Sequence, residues 1–388
     1  MKRLKTGYKV SKNTIHPLDK FKGLSGLSIV TIILFGSIMS TNLLMSYTVP
    51  CFSIDDSSEV PYIPYHFVWE NESLSEACYD ITADEAGNIY GVGGIRYEKS
   101  QSDILLMKLS PKGSRHWYKA WGSSFSSEKG SGITIDHRGN IYTVGTSTSG
   151  ANGSNVLLVK WDREGNLLWN RTWGASLYDE GTDIVIDKDG FIYTAAHTQT
   201  QSHGEDFVLI KWDADGNQIW NKIWPSNYDE YCNEIAVDRY GIYAFGSIMS
   251  VSNQSNFLLV KWSSTGNQLW NRTWGTSYDE FGLGIALDYA GNIFTVGKRE
   301  RIDGDYDHVL MGWTPDGDQF CDNSYYIFPT DFNGKITIDS KGYIYTHISF
   351  WDTVVLLKWD SVGNFLSETS YDSWINVPWE PPETYEIV

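Results

Sequence analysis

One stretch of the chain, residues 182–224, contains four short apolar segments separated by turns. They read TDIVID (182–187), GFIYT (190–194), DFVLIKW (206–212) and NQIWNKIW (217–224). Each segment is rich in β-branched and aromatic residues, and glycines stand in the turns after the first and third segments. No helical periodicity interrupts the stretch. The pattern therefore predicts four antiparallel strands joined by hairpins.

The same unit occurs six times along the 388 residues. Its most regular feature is an Asp-x-x-Gly turn, and the anchoring aspartates are Asp84, Asp136, Asp187, Asp238, Asp288 and Asp339. The anchors are 50 to 52 residues apart, a constancy that indicates a stacked or closed array of one supersecondary unit. Six helix-free units of four strands predict an all-β, six-bladed β-propeller, whose radial closure removes exposed sheet edges.

The amino-acid sequence of the units resembles a known repeat. The segment VKWDREGNLLWNRTWG (159–174), together with GIALD (284–288) and GNIFTVG (291–297), is similar to the SBBP β-propeller repeat family. The resemblance extends over residues 76–370. It implies propeller blades in an exported protein, with the strand before each anchor innermost, and it implies a scaffold without enzymatic activity.

The N-terminal region predicts an exported protein. Residues 1–22 form a basic leader that carries seven Lys or Arg and one Asp, and residues 23–54 contain no Asp, Glu, Lys or Arg. We expect a single-pass signal-anchor helix over 23–46, since about 20 apolar residues span a bilayer. The alternative is a cleaved signal peptide and a secreted product. In both cases the positive flank stays cytoplasmic and the propeller lies outside.

The remaining domain boundaries follow from composition. A linker over 47–65 contains three prolines, the propeller spans 66–370, and an acidic, Pro-containing tail covers 371–388. The segment FVWE (67–70) resembles a lone fourth strand. We therefore expect it to pair with the last blade and tie the N-terminal end of the propeller to its C-terminal end.

The charge of the chain excludes one class of partner. The net charge is −18, and because residues 1–22 carry +6, the remainder carries −24. Nucleic-acid binding depends on Lys and Arg contacts to phosphate. We therefore expect no nucleic-acid partner, a membrane contact through residues 23–46, and an extracellular protein or glycan ligand.

A second acid is repeated eight residues before each anchor. The six positions are Glu76, Glu128, Asp179, Glu230, Glu280 and Asp331. They precede the first strand of each unit, so repeat symmetry places them on one face of the disc as a ring near the channel mouth. Two interpretations stay open: a site for Ca²⁺, which prefers flexible oxygen ligands, or a local hydrogen-bonded cap copied six times by duplication.

Other repeated or clustered residues have a structural interpretation. The Asp-x-x-Gly residues are typical of hairpin turns, and the paired tryptophans of the fourth strands, such as Trp169 and Trp173, are expected to pack between blades. The alternating acids of 303–307 lack the turn glycine and distal glutamate of a calcium loop. The four cysteines are expected to be free thiols, since Cys78 and Cys232 fall in opposite blades.

Five Asn-x-Ser/Thr sequences are candidate N-glycosylation sites. Their asparagines are Asn71, Asn152, Asn170, Asn253 and Asn271. Such acceptors are typical of exported domains.

The sequence predicts a binding protein rather than an enzyme. It contains no nucleophile elbow, phosphate loop, dinucleotide fingerprint or zinc spacing. We expect a non-enzymatic, membrane-anchored scaffold that binds through the variable loops between the second and third strands of each unit. The alternative is a propeller-class enzyme, such as a lyase, glycosidase or quinoprotein relative, with its site at the channel mouth. These functions differ in whether the unequal residues of the repeats converge at the mouth or scatter around the rim.

Overall fold

A computed structural model describes residues 46–49, 65–68, 74–97, 101–149, 153–174, 178–200, 204–224, 228–250, 254–326, 333–350 and 353–372. Six antiparallel sheets follow one another along this part of the chain, each with four strands. Within every sheet the strands lie in chain order, each hydrogen-bonded to the next. The predicted six-bladed propeller of four-stranded blades is confirmed.

The strands of the blades alternate with short turns. Blade 1 comprises β3 (Leu74–Ala83), β4 (Ile89–Tyr97), β5 (Ser102–Leu109) and β6 (Arg115–Trp121). Blade 2 comprises β7 (Ser127–Ile135), β8 (Ile141–Thr148), β9 (Ser154–Trp161) and β10 (Leu167–Trp173). Blade 3 comprises β11 (Asp179–Ile186), β12 (Ile192–Thr200), β13 (Gly204–Trp212) and β14 (Gln218–Ile223).

The second half of the ring repeats this arrangement. Blade 4 comprises β15 (Glu230–Asp238), β16 (Gly241–Met249), β17 (Ser255–Trp262) and β18 (Gln268–Trp274). Blade 5 comprises β19 (Glu280–Leu287), β20 (Ile293–Glu300), β21 (Tyr306–Trp313) and β22 (Gln319–Tyr326). Blade 6 comprises β23 (Asn333–Ile338), β24 (Ile344–Phe350), β25 (Thr353–Trp359) and β26 (Phe365–Asp372).

The strand order gives the disc two different faces. First strands of successive blades contact one another around the central channel, and fourth strands form the outer rim. Because neighbouring strands are antiparallel, the inter-blade junctions and the loops between second and third strands lie on one face, here the loop face. The Asp-x-x-Gly turns lie on the opposite face, here the turn face.

The Asp-x-x-Gly sequences form the predicted hairpin turns. In blade 2, Gly139 has a φ of 83° and donates its N–H to the Asp136 carbonyl at 2.9 Å. The Asp136 carboxylate accepts the N–H of Arg138 and of Asn140, both at 2.9 Å. Burial acts to raise the pKa of Asp136, but these hydrogen bonds outweigh it and lower the pKa. The anchors therefore have the structural role predicted for them.

The tryptophans and lysines of the repeat fill the space between blades. Trp161 of the third strand is almost fully buried and donates its indole N–H to Thr143 at 3.1 Å, and Trp121 of blade 1 packs against its ring edge-to-face. Beside it, Lys160 lies over the Tyr142 ring and donates to the Ala214 carbonyl of the next blade at 3.2 Å. The predicted packing of the fourth-strand tryptophans between blades is confirmed, since Trp173 is buried in a cluster shared by blades 2 and 3 and Trp169 packs against it.

The ring is not closed by the strand that the sequence suggested. Segment β2 (Tyr65–Val68) pairs with β1 (Ser46–Val49) in a separate two-stranded antiparallel sheet. The last blade obtains its fourth strand, β26, from its own repeat. The prediction that Phe67 and Val68 join the last blade was wrong, because the last blade already has four strands of its own and β2 pairs with β1 instead.

The predicted terminal segments lie mostly outside the described residues. This applies to the basic leader 1–22, to the signal-anchor 23–46 except Ser46, and to residues 373–388 of the tail. In the part of the chain that the structure describes, no helix is long and apolar enough to cross a membrane.

Candidate functional site

One position of the repeat that differs in charge between blades lies on the innermost strands. Four residues before each anchor, the six blades carry different residues, here called the channel ring: Asp80, Gly132, Asp183, Glu234, Gly284 and Lys335. A position that only stabilised a repeated fold would be expected to repeat. The channel ring is therefore a place where the charge of this propeller departs from the symmetry of its repeats.

A β-bulge positions the channel ring in five of the blades. In blades 1 to 5 the pairing of the first and second strands shifts by one residue at the ring position, for example between Cys78 and Asp80. A bulge bends the strand and changes the direction of the side chain that follows it. Blade 6 has a regular register, in which Lys335 pairs directly with His347.

Three carboxylates of the channel ring join neighbouring blades. Asp80 of blade 1 accepts the backbone N–H of Ile133 in blade 2 at 2.9 Å. Asp183 of blade 3 accepts the N–H of Ile235 in blade 4 at 2.8 Å. These bonds satisfy N–H groups of innermost strands that have no further strand to pair with.

Glu234 joins three blades at once. One of its oxygens accepts the N–H of Ile285 in blade 5 at 2.7 Å, and the other lies 2.7 Å from Nζ of Lys335 in blade 6. The intervening ring position is Gly284, where a Cβ would lie only 2.9 Å from Glu234 Oε2. The missing side chain of blade 5 is thus what lets Glu234 reach the last blade.

Lys335 is the cation of this cluster. Burial alone would lower the pKa of Lys335, but the carboxylates of Glu234, Asp80 and Asp183 raise it above its usual range. Asp80 belongs to the first blade and Lys335 to the last, so this electrostatic attraction acts between the two ends of the ring. The direct contact of Lys335 is with Glu234, so the cluster ties the last blade to blade 4.

The two aspartates of the cluster are desolvated. Burial raises the pKa of Asp183 to about 8, although Lys335 acts in the opposite direction. Burial also raises the pKa of Asp80 to about 6, again against the effect of Lys335. One lysine does not compensate three carboxylates, so protonation of the aspartates stabilises the cluster.

Two buried histidines that no sequence pattern indicated lie in the last two blades. His308 is fully buried, and its Nε2 lies 3.0 Å from the Thr346 hydroxyl. Burial, together with His347, lowers the pKa of His308 to about 3. Burial and the charge of Lys335 lower the pKa of His347 to about 4. Both imidazoles are therefore neutral in the folded protein at pH 7.

The repeated acids eight residues before the anchors, here called the junction acids, lie within the inter-blade junctions. Glu128, Asp179, Glu230 and Glu280 are almost completely buried. Glu128 accepts the N–H of Ser123 at 3.1 Å and the hydroxyl of Ser147 at 3.1 Å. All five junction acids that the structure describes lie at the start of the first strand of their own blade, rather than in the loop before it as the sequence predicted.

The same arrangement recurs in other junctions. Glu280 accepts the N–H of Thr276 at 2.9 Å and its hydroxyl at 2.6 Å, and Asp179 accepts the hydroxyl of Thr198. Glu76 is half-buried, and Asp331 lies outside the described residues. Among the described residues, no group of three or more His, Cys, Asp or Glu could hold a metal ion. These contacts are those of a local hydrogen-bonded cap, and a Ca²⁺ site at the junction acids stays a prediction.

The other candidate residues are distributed over the surface and the core. Asn170 and Asn271 are exposed on outer strands, whereas Asn71, Asn152 and Asn253 lie outside the described residues. Arg301 forms ion pairs with Asp303 at 3.1 Å and Asp307 at 3.3 Å, which accounts for the acidic loop of blade 5. Cys78, Cys232 and Cys321 are free thiols, and Cys51 is not among the described residues.

The loop face carries an aromatic side chain at each of four successive junctions. The residues are Phe125, Tyr178, Tyr228 and Tyr278, and the first three are exposed. Phe125 retains 85% of its accessible surface. Ile302, in the loop between the second and third strands of blade 5, is 86% exposed on the same face. The loop face therefore has exposed apolar and aromatic surface, whereas the tryptophans between the blades are largely buried.

Sequence reasoning missed both the channel ring and the aromatic junctions. The signal was present, because aligning the six anchors shows D, G, D, E, G and K four residues upstream. The junction acids are visible as a pattern because they repeat in every blade. The positions that fail to repeat identify the channel ring.

The comparisons with known proteins support the fold. No protein-family model and no curated protein matches the chain. A Lactobacillus plantarum protein of known structure is similar, with a TM-score of 0.56 and 12% identity over 88% of this chain and 96% of that one. A 6-phosphogluconolactonase candidate from Bacteroides fragilis has a TM-score of 0.53 and 11% identity, over 87% and 94%. An ulvan lyase of polysaccharide lyase family PL25 has a TM-score of 0.50 and 11% identity, over 74% and 81%. At these identities the chain shares a propeller fold with them, and nothing about its activity follows.

Proposed function

We propose that this protein is a non-enzymatic propeller that binds an extracellular protein or glycan partner through its loop face. The observation that carries the proposal is the row of exposed aromatic side chains at successive junctions, Phe125, Tyr178 and Tyr228. Aromatic residues supply large contact area at little entropic cost and dominate the energetics of interfaces. The repeated polar positions beneath them are already engaged in bonds that maintain the fold.

The cellular location is part of the same proposal. The basic leader, the uncharged segment 23–46 and the resemblance to the SBBP repeat support a propeller held outside the cytoplasm by a single membrane anchor, or secreted after signal cleavage. The charge of −24 outside the leader favours neutral or basic partners over anionic ones.

A matched pair of variants tests the loop face. The loop-face variant combines Phe125→Ser, Tyr178→Ser and Tyr228→Ser, and the control combines Tyr240→Ser and Tyr289→Ser, two exposed tyrosines of the turn face. The full chain is applied to an array of immobilised neutral, basic and anionic polysaccharides and to the protein layer extracted from the producing cells. We expect the loop-face variant to lose at least tenfold in affinity and the control to retain binding. Equal losses in both variants would contradict the proposal.

A second candidate function is a propeller-class enzyme, because the unequal residues of the repeat converge in the channel. Asp183 and Lys335 would then act on a substrate rather than on each other. Incubation with acidic and neutral polysaccharides separates the candidates. An activity that Asp183→Asn abolishes, in a protein whose loop-face binding is unchanged, would favour the enzyme.

A further inference from the structure

The rim of the disc exposes apolar side chains on five of its outer strands. The fourth strands β10, β14, β18, β22 and β26 are edge strands, and each leaves one backbone edge unpaired. Three residues after the turn glycine, each of them exposes an apolar side chain, in order Leu168, Ile219, Leu269, Phe320 and Leu366. Exposed edge strands with apolar residues are templates for edge-to-edge association, and proteins protect them with charge or bulk.

In two blades, the residue two positions after the exposed apolar residue is an acid, whose charge protects the edge strand from association. Alternate residues of a strand lie on the same face, so Asp322 accompanies Phe320 and Glu368 accompanies Leu366. Blades 2 and 4 have an uncharged asparagine at this position instead, Asn170 beside Leu168 and Asn271 beside Leu269.

Both asparagines begin the sequence Asn-Arg-Thr and face solvent. Asn170 and Thr172 are exposed on the same face of β10, and Asn271 and Thr273 on the same face of β18. In the part of the chain that the structure describes, neither asparagine side chain forms a hydrogen bond.

The intervening arginines lie on the other face of the strands and hold them to the next blade. Arg171 donates to the Asp215 carbonyl at 3.0 Å, and Arg272 donates to the Asp316 carbonyl at 2.9 Å. The two asparagine amides are therefore presented on backbone that is fixed in position, and they point away from the blade that the arginines contact.

We propose that Asn170 and Asn271 carry N-linked glycans that cover Leu168 and Leu269 on the rim. The donor is a lipid pyrophosphate-linked oligosaccharide. The amide nitrogen forms a bond to C1 of its first sugar, the C1–O bond breaks, the lipid pyrophosphate leaves with the bonding electrons, and the amide loses one proton. The inference rests on the proposed export of the propeller, and it concerns the rim rather than the loop face.

Blade 3 contains a natural control at the same position. Asn221 follows the exposed Ile219 by two residues, but its sequence is Asn-Lys-Ile, so Ile223 stands where an acceptor needs a hydroxyl. Asn221 is expected to be unmodified in the same molecule. Ile223→Thr would complete the acceptor on an equivalent strand.

The test uses the full chain, expressed with its own N-terminal segment in a yeast host that N-glycosylates exported proteins. Glycopeptides are mapped by mass spectrometry, and the mobility of the protein is compared before and after treatment with a peptide N-glycosidase. We expect occupancy at Asn170 and Asn271 and none at Asn221. Thr172→Val and Thr273→Val should each remove one glycan without unfolding the protein, whereas Ile223→Thr should add one.

Protease treatment of intact spheroplasts separates the two ways in which the inference could fail. A propeller that is accessible to protease and unmodified at Asn170 and Asn271 overturns the inference and leaves the proposed export standing. A propeller that is protected and unmodified overturns both.

The shielding role has its own readout. Enzymatic removal of the glycans should increase light scattering on warming at least twofold. Unchanged scattering would overturn the claim that the glycans cover the rim.

Discussion

The junction acids and the channel ring each occupy one position of the repeat, eight and four residues before the anchors, but their contacts differ. The junction acids are carboxylates in every blade, and Glu128 and Glu280 each accept hydrogen bonds from their own junction. The channel ring contains three carboxylates, two glycines and a lysine, and its bonds run between blades. A position that repeats carries a local bond that each blade needs. A position that does not repeat carries a bond that only the assembled ring can form.

The difference has a consequence for function. The polar side chains of the channel ring are already engaged within the protein. Lys335 contacts Glu234, and Glu234 also accepts a backbone N–H of the next blade. A substrate entering at this level would compete with contacts that hold the last blade in place. We therefore expect ligand binding at the exposed loop face rather than at the middle of the channel.

Removal of the channel cation should have the largest effect. Lys335→Met removes the counter-charge of Glu234, Asp80 and Asp183. Breaking a fully buried pair costs about 3–5 kcal/mol, and because the Lys335 side chain is 39% exposed and that of Glu234 16%, we expect a loss below that range. Lys129 is the matched control, since its 3.5 Å ion pair with Glu180 is exposed and worth about 0–1 kcal/mol. Urea unfolding at pH 7 measures both free energies of unfolding. Equal losses in the two variants would mean that the channel ring is no more important than a surface pair.

Neutralising Asp183 should change the dependence of stability on pH. Its folded pKa of about 8 lies above the usual unfolded value, so its favourable contribution is present at low pH and lost as the pH rises through 8. Asp183→Asn should therefore gain on the order of 4 kcal/mol relative to the wild type between pH 5 and pH 9. Asp189→Asn, at an exposed turn, should show no such gain. A parallel pH dependence for Asp183→Asn and the wild type would contradict the burial of this carboxyl.

The buried histidines should make the free energy of unfolding fall as the pH is lowered, the opposite of the effect of Asp183. His347 has a folded pKa of about 4, so its neutral form stabilises the fold above the unfolded pKa of about 6.5, and this stabilisation is lost as the pH falls below that value. Compared with His347→Gln, the wild type should lose about 3 kcal/mol between pH 7 and pH 4. The exposed His137→Gln serves as the control. If His137→Gln and His347→Gln have the same slope, the imidazole of His347 is accessible to protons in the folded state.

Changes at the junction acids should have the smallest effect and no dependence on metal. Glu280→Gln alters one of several similar caps, and the loss of its charged hydrogen bonds should cost about 1–2 kcal/mol. Thermal unfolding in EDTA and then in excess Ca²⁺ should give the same midpoint for the wild type and the variant. A Ca²⁺-dependent rise that Glu280→Gln removes would instead establish a cation site at the junctions.

The sequence predicted the blades well because their information is local. Alternation of apolar residues and the Asp-x-x-Gly turns determine each strand within its own repeat, and Trp161 and Asp136 have the roles expected from those patterns. The closure of the ring, in contrast, depends on contacts between residues that are far apart in the sequence. Segment 65–68 is only four residues long, and nothing within it distinguishes the last blade from Ser46–Val49 as its partner.

The channel ring was hidden for a related reason. The side chains of Asp80 and Lys335 are 255 positions apart in the sequence, and only the closed disc brings them near each other. The bulge that positions Asp80 leaves no mark in the alternation pattern, since it displaces one residue in an otherwise regular strand.

A double-mutant cycle of Lys335→Met and Glu234→Gln tests the central claim most directly. The claim is that the last blade is held to the ring by a charge pair that passes over Gly284. Free energies of unfolding of the wild type, the two single variants and the double variant are measured at pH 7. Residues in one such network couple by roughly 0.5–3 kcal/mol, and we predict a value near the upper end. Additive effects within about 0.5 kcal/mol would show that Lys335 and Glu234 act independently, and that the ring is closed by something else.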